Sequence, residues 1–127
     1  MKIENIGQPG KKIWNDFIRA HYPPVGGFMQ SWEWGVFQKR LGRRVEHYFV
    51  TEHGAPIAAF TLLHHKLPLG LKYGYAARGP VAVNENADKF MDVCEAIRTW
   101  ALGSLPQFVF LRLEPPMQFP PPEIPNL

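Results

Sequence analysis

Lys72-Tyr-Gly-Tyr-Ala-Ala77 and Gln107-Phe-Val-Phe-Leu-Arg-Leu113 bracket the stretch that decides the fold. Both runs are short and rich in aromatic and branched residues, as strands are. Between them, residues 85–102 set Phe90, Val93, Cys94, Ile97 and Ala101 at helical spacing, the pattern of one buried helix face. Asn84 or Asn86 is the expected cap at its start, and Gly103 at its end. Strand, helix, strand is a βαβ unit, so the two strands are expected to run parallel. Upstream, residues 44–51 and 56–66 flank the turn Glu52-His-Gly-Ala55 and read as a hairpin. The second of these runs is nearly continuous in apolar residues, as a central strand covered on both faces would be.

Two helices are expected before the hairpin. Residues 10–22 carry the stripe Ile13, Trp14, Phe17 and Ile18. Phe28-Met-Gln-Ser-Trp-Glu-Trp-Gly-Val-Phe-Gln-Lys-Arg-Leu41 has Ser31 as N-cap and Trp34, Phe37 and Leu41 on one face. Gly42 suits a left-handed cap. Lys39, Arg40, Arg43 and Arg44 crowd that helix's C-terminal end, where cations suit the dipole. Such an end is either a solvated surface or the wall of an anion-binding cleft. Residues 1–6 read as a short strand and residues 22–27 as a loop. The whole predicts one α/β domain with a mixed sheet flanked by helices.

Composition narrows the classes. The chain has 127 residues, 46% of them hydrophobic, which suits one globular domain. A net charge of +3 leans only weakly toward anionic partners. The single cysteine, Cys94, excludes an internal disulfide, and its place on the apolar helix face reads as core rather than nucleophile. The N-terminus lacks an apolar signal core, and no apolar run approaches the roughly 20 residues of a membrane helix. A cytoplasmic protein with no transmembrane segment is the simplest reading. Seven of the 13 prolines fall within residues 106–125. The expected division is therefore a partial first domain over 1–115 and a Pro-rich linker over 116–127, leading toward a further domain.

Familiar catalytic and cofactor patterns are absent. His64 and His65 are adjacent on a strand and point to opposite faces, and His21, His47 and His53 have no ligand spacing, so no metal is expected. There is no nucleophile elbow and no Walker loop, and Gly70, Gly74 and Gly79 make no dinucleotide fingerprint. Trp14, Trp34, Phe37 and Phe90 fall on helix stripes and read as core rather than base-stacking groups.

Four pieces occur in order: Phe28-Met-Gln-Ser-Trp-Glu-Trp34, the apolar strand after a Gly turn, Tyr75-Ala-Ala-Arg-Gly-Pro-Val81, and Phe110-Leu-Arg-Leu-Glu-Pro115. Together they resemble the front of the Fem-type (FemABX) aminoacyltransferases, over essentially all of residues 2–122. The resemblance implies an acetyltransferase-like (GNAT) fold, incomplete here, in a two-domain protein. It implies transfer of an amino acid from aminoacyl-tRNA to the stem peptide of a peptidoglycan precursor, lipid II or UDP-MurNAc-pentapeptide, in interpeptide-bridge and cell-wall synthesis. No cofactor is implied, and a lipid-linked acceptor would bring the protein to the membrane surface.

The resemblance also assigns residues. The family's strand-end Asp corresponds to Glu114, a catalytic carboxylate that would orient the attacking ammonium or accept its proton as a general base, the competing reading being a solvated turn residue before Pro115-Pro116. A family lysine that holds the precursor corresponds to Gln38, with Lys39 adjacent. Arg78 and Arg112 are expected to border the same cleft, Arg112 equally fitting a surface ion pair. Two other classes compete: an acyl-CoA-dependent N-acetyltransferase, against which the missing pyrophosphate loop counts, and a non-catalytic module binding a cell-wall precursor or RNA.

Overall fold

A computed structural model describes residues 1–22, 27–83 and 87–116. The elements are β1 (Lys2–Asn5), α1 (Lys11–His21), α2 (Trp32–Arg40), β2 (Arg44–Glu52), β3 (Ala55–Lys66), β4 (Lys72–Ala76), β5 (Val81–Ala82), α3 (Ala87–Ser104) and β6 (Phe108–Leu113). Single 3₁₀ turns at Gln8–Gly10, Gly27–Gln30 and Pro68–Gly70 join some of them. The strands lie in the order β1-β2-β3-β4-β6, with β5 pairing to β3. All pairs are antiparallel except β4–β6, which is parallel as the βαβ pattern predicts.

The expected hairpin is β2–β3. Its turn holds His53 and Gly54 at φ 53° and 79°, the left-handed pair that a tight hairpin turn requires. β3 is buried continuously from Ala58 to Leu63, consistent with its central place. Alternation along β2 and β3 sends Tyr48, Val50, Ala58, Phe60 and Leu62 to one face, where Val93 and Ile97 of α3 cover them. Phe49 and Ala59 go to the other face, under Trp14, Phe17 and Ile18 of α1 and Trp32 of α2. The sheet is thus clad by α3 on one side and by the two earlier helices on the other.

Several expectations are corrected. Ile13 lies outside the α1 stripe and is 62% exposed, while Phe37 and Leu41 are more than half exposed. The buried positions of α2 are Trp32, Trp34, Gly35 and Gln38. Two of these are not hydrophobic, so an apolar count points to the wrong face. Gly35 lies on His47: a Cβ there would stand 2.7 Å from His47 Cε1 and Nε2. α3 continues through Gly103 to Ser104, and Cys94 is half-buried rather than core. Cys94 lines an apolar groove of about 610 Å³ between α3 and β6, together with Met91, Leu102 and Val109. β5 escapes sequence reading because two residues are too few to show a period. The expected caps Asn84 and Asn86, and residues 117–127 of the expected linker, lie outside the described residues.

Ser31 caps α2 as expected, its hydroxyl accepting from Trp34 N at 3.1 Å. At the other end Gly42 is left-handed, at φ 88°. Its N–H reaches Lys39 O, and that of Arg43 reaches Gln38 O, which together form a Schellman cap.

His47 is caged. Its ring stacks on Trp32 at 3.9 Å and meets Trp14 edge-on at 4.9 Å. Burial, with the Lys39 charge as a smaller cause, brings its pKa from 6.5 to about 4. Folded His47 therefore stays neutral between those values, while the unfolded chain takes up a proton. Stability should fall by about 3 kcal/mol as pH drops from 6.5 to 4, then level off for this group. Urea unfolding of wild type and His47→Gln across that range checks this: the variant should lack most of the slope.

Candidate functional site

Gln30 explains the shape of the sheet near the site. β3 pairs with β4 from Leu63 to Lys66 and with β5 at Ala58 and Ala59, so its neighbours fork between those positions. The Gln30 carboxamide fills the fork. Its Oε1 accepts from Thr61 N at 3.1 Å, and its Nε2 donates to Ala77 O. Gln30 is fully buried, and its own carbonyl accepts the Trp14 indole N–H at 2.7 Å. A side-chain amide thus replaces a length of strand, satisfying backbone groups that burial would otherwise orphan.

The Arg-Gly-Pro turn is fitted around this amide. Arg78 takes a left-handed conformation at φ 58°, and the Gly79–Pro80 peptide is cis. A Cβ on Gly79 would stand 2.9 Å from Gln30 Nε2, so only glycine lets the turn close on the amide. The end of β6 docks there: Glu114 N donates to Gly79 O at 2.9 Å, and more weakly to Ala76 O at 3.3 Å. Glu114 is thereby fixed just past the C-terminal end of the parallel β4–β6 pair, the edge where α/β sheets place ligands.

The Glu114 carboxylate takes two donors. Tyr75 OH bonds Oε1, and Arg112 Nη2 donates to Oε2 at 3.0 Å. The Arg112 guanidinium also lies 5.4 Å from the Tyr75 ring centre, and Tyr75 and Arg112 are register partners across the two strands. The Tyr75 hydrogen bond, with the Arg112 and Arg78 charges, holds the Glu114 carboxyl below the usual carboxylate range. The same bond pushes the Tyr75 phenol above its ordinary value.

The structure brings three of the five expected site residues together: Glu114, Arg112 and Arg78. Gln38 and Lys39 stand apart, at the end of α2. Gln38 is buried and its Oε1 accepts from Arg43 Nη1, while Lys39 is exposed. Trp34 of α2 packs in the cluster that Tyr75 flanks, so the two groups border one sheet face. On that face His65, Tyr73 and Phe110 stack in a row, with centroids 4.7 and 4.8 Å apart. Sequence reasoning missed Tyr75, because the register that sets it against Arg112 is visible only in the folded sheet.

Among the described residues no group of three or more His, Cys, Asp or Glu is arranged to hold a metal, and no helix is long and apolar enough to cross a membrane. His64 bonds Glu46 on one face of β3, while His65 stacks on Tyr73 on the other.

No family model matches the chain, and no curated protein matches it. Among solved structures, FemX superposes with a TM-score of 0.60 at 22% identity, over 81% of this chain and 25% of FemX. This chain therefore spans about a quarter of the length of FemX. A ribosomal-protein-alanine N-acetyltransferase from Brucella melitensis biovar Abortus 2308 gives a TM-score of 0.55 at 14% identity, over 91% of this chain and 81% of that one. At such identities the likeness is one of fold, and the chain has the acetyltransferase-like fold, a mixed sheet flanked by helices, that it shares with both structures.

Proposed function

We propose that this chain is part of a Fem-type aminoacyltransferase, which moves an amino acid from aminoacyl-tRNA to an amine on the stem peptide of a peptidoglycan precursor. The observation that carries the reading is Glu114. It is a charged carboxylate at the ligand-binding end of a parallel strand pair, held by Tyr75 and flanked by Arg112 and Arg78. The likeness in fold to FemX and to an N-acetyltransferase supports acyl transfer as the class of reaction.

In this reading the acceptor arrives as an ammonium ion and pairs with Glu114. Once the amine has lost a proton to water, its nitrogen attacks the ester carbonyl. The C–N bond forms, the bond from carbonyl carbon to ribose oxygen breaks, and that oxygen leaves with the second proton that the nitrogen sheds. A carboxylate held below its usual pKa is a weak base. Glu114 therefore acts chiefly by orienting the amine and stabilising the positive charge that develops on nitrogen. Lys39 supplies positive charge for the acceptor's phosphates, in lipid II or UDP-MurNAc-pentapeptide alike, while Arg78 and Arg112 border the cleft at Glu114. The Gln38 carboxamide adds a contact only if it releases Arg43.

Titrating the chain with UDP-MurNAc-pentapeptide tests the acceptor role. Affinity should fall on Lys39→Ala, and should fall again between 50 and 200 mM salt, as a screened contact with phosphate requires. Indifference to both would remove the phosphate contact at this end of α2.

A further inference from the structure

The two donors on Glu114 differ in permanence. Tyr75 is half-buried, its ring against the cluster of Trp34, Val45, Leu63 and Ala77, and its hydroxyl bonds Oε1. Arg112 reaches Oε2 from outside, on a side chain that is 63% exposed. One oxygen is fixed by the fold, and the other is covered by a group that water surrounds.

We propose that Tyr75 is the positioning residue for Glu114, locking Oε1 so that Oε2, now covered by the Arg112 guanidinium, is the oxygen presented to a primary ammonium group of a ligand. The inference rests on reading Glu114 as the acceptor-facing carboxylate. An alkylammonium is a cation with several N–H donors, as a guanidinium is, so it replaces Arg112 on Oε2 without leaving the carboxylate uncompensated. Arg112, once displaced, keeps the Tyr75 ring beneath it and remains free to meet an anion. A carboxylate already fixed at one oxygen loses less torsional freedom when the ligand binds the other.

Among the described residues, the charged and titratable groups facing Glu114 are Tyr75 on β4, Arg112 on β6 and Arg78 in the turn after β4. His65 on β3 lies one ring further out, 6.1 Å from Tyr75.

The test follows the Glu114 carboxyl carbon by NMR in the ¹³C-labelled chain, against pH and against added n-butylammonium chloride. Tyr75→Phe keeps the ring in its cluster, so the backbone amide spectrum reports whether the fold is intact. This variant should move the Glu114 titration midpoint up, toward the ordinary value, and weaken butylammonium binding about threefold, the cost of one freed rotor. Arg112→Gln should strengthen the binding, because it uncovers Oε2. If Tyr75→Phe changes neither readout while Glu114→Gln abolishes the butylammonium response at neighbouring amides, the positioning role is overturned and the carboxylate reading survives. If Glu114→Gln leaves that response intact, the carboxylate reading falls, and the positioning role with it.

Discussion

Gln30→Leu should lower the stability of the chain by about 4 kcal/mol, because it leaves two buried backbone groups without partners, each costing roughly 1–3 kcal/mol. Leucine is close to glutamine in volume, so the loss reports mainly on Thr61 N–H and Ala77 C=O. The Trp14 bond is to the Gln30 main chain and survives the change. Urea unfolding followed by tryptophan fluorescence gives the number; a loss below about 1 kcal/mol would mean that the fork closes without the amide. Gln30→Glu separates the two bonds. Its carboxylate still accepts from Thr61 but turns lone pairs on Ala77 O, and it buries a charge. Burial raises the folded-state pKa of such a carboxyl, so its penalty should appear above the unfolded-state value and shrink as pH falls toward 4, where a protonated carboxyl can donate to Ala77 O.

Glu114→Gln is the larger test of function. In an active preparation that contains this chain, aminoacyl transfer should fall about 10²–10³-fold, the cost of removing one group aimed at developing charge. Glutamine keeps an acceptor for the Tyr75 hydroxyl, so the end of β6 stays in place and the loss belongs to charge. The sign of the pH dependence follows from the same environment. Tyr75 first, then Arg112 and Arg78, hold the carboxyl below its ordinary value, so the carboxylate persists at mildly acidic pH. Any contribution from Glu114 is present above that depressed pKa and is lost only as pH falls through it. Single-turnover rates from pH 5 to 8 should therefore show no break assignable to Glu114. An unchanged rate in the glutamine variant would leave the carboxylate with a structural role alone.

The parts of this molecule that sequence made legible are those written in apolar periodicity. The β2–β3 hairpin, the parallel β4–β6 pair and the α3 face of Phe90, Val93 and Ile97 all follow from spacing and turn chemistry. What stayed hidden depends on polar or small residues in buried places. Gln30 adds nothing to an apolar period, yet it stands in for a strand. Gly35 likewise adds nothing to the period, yet its missing Cβ makes room for His47. Phe37 reads as core and is exposed, because the helix turns its glycine and glutamine inward instead. At the site, the family resemblance is what singled out Glu114 and Arg112, and a hydroxyl arriving from the neighbouring strand leaves no trace in a one-dimensional pattern.

The end of α2 has a consequence for how such sequences vary. Arg43 is joined to Gln38 twice, through the helix cap and through the side chain. A lysine at position 38 would set an ammonium against that guanidinium where a carbonyl oxygen now accepts it. Positions 38 and 43 should therefore covary among relatives that share this cap. A cation at one should go with a neutral residue at the other, so that the charge is conserved while the residue carrying it changes place.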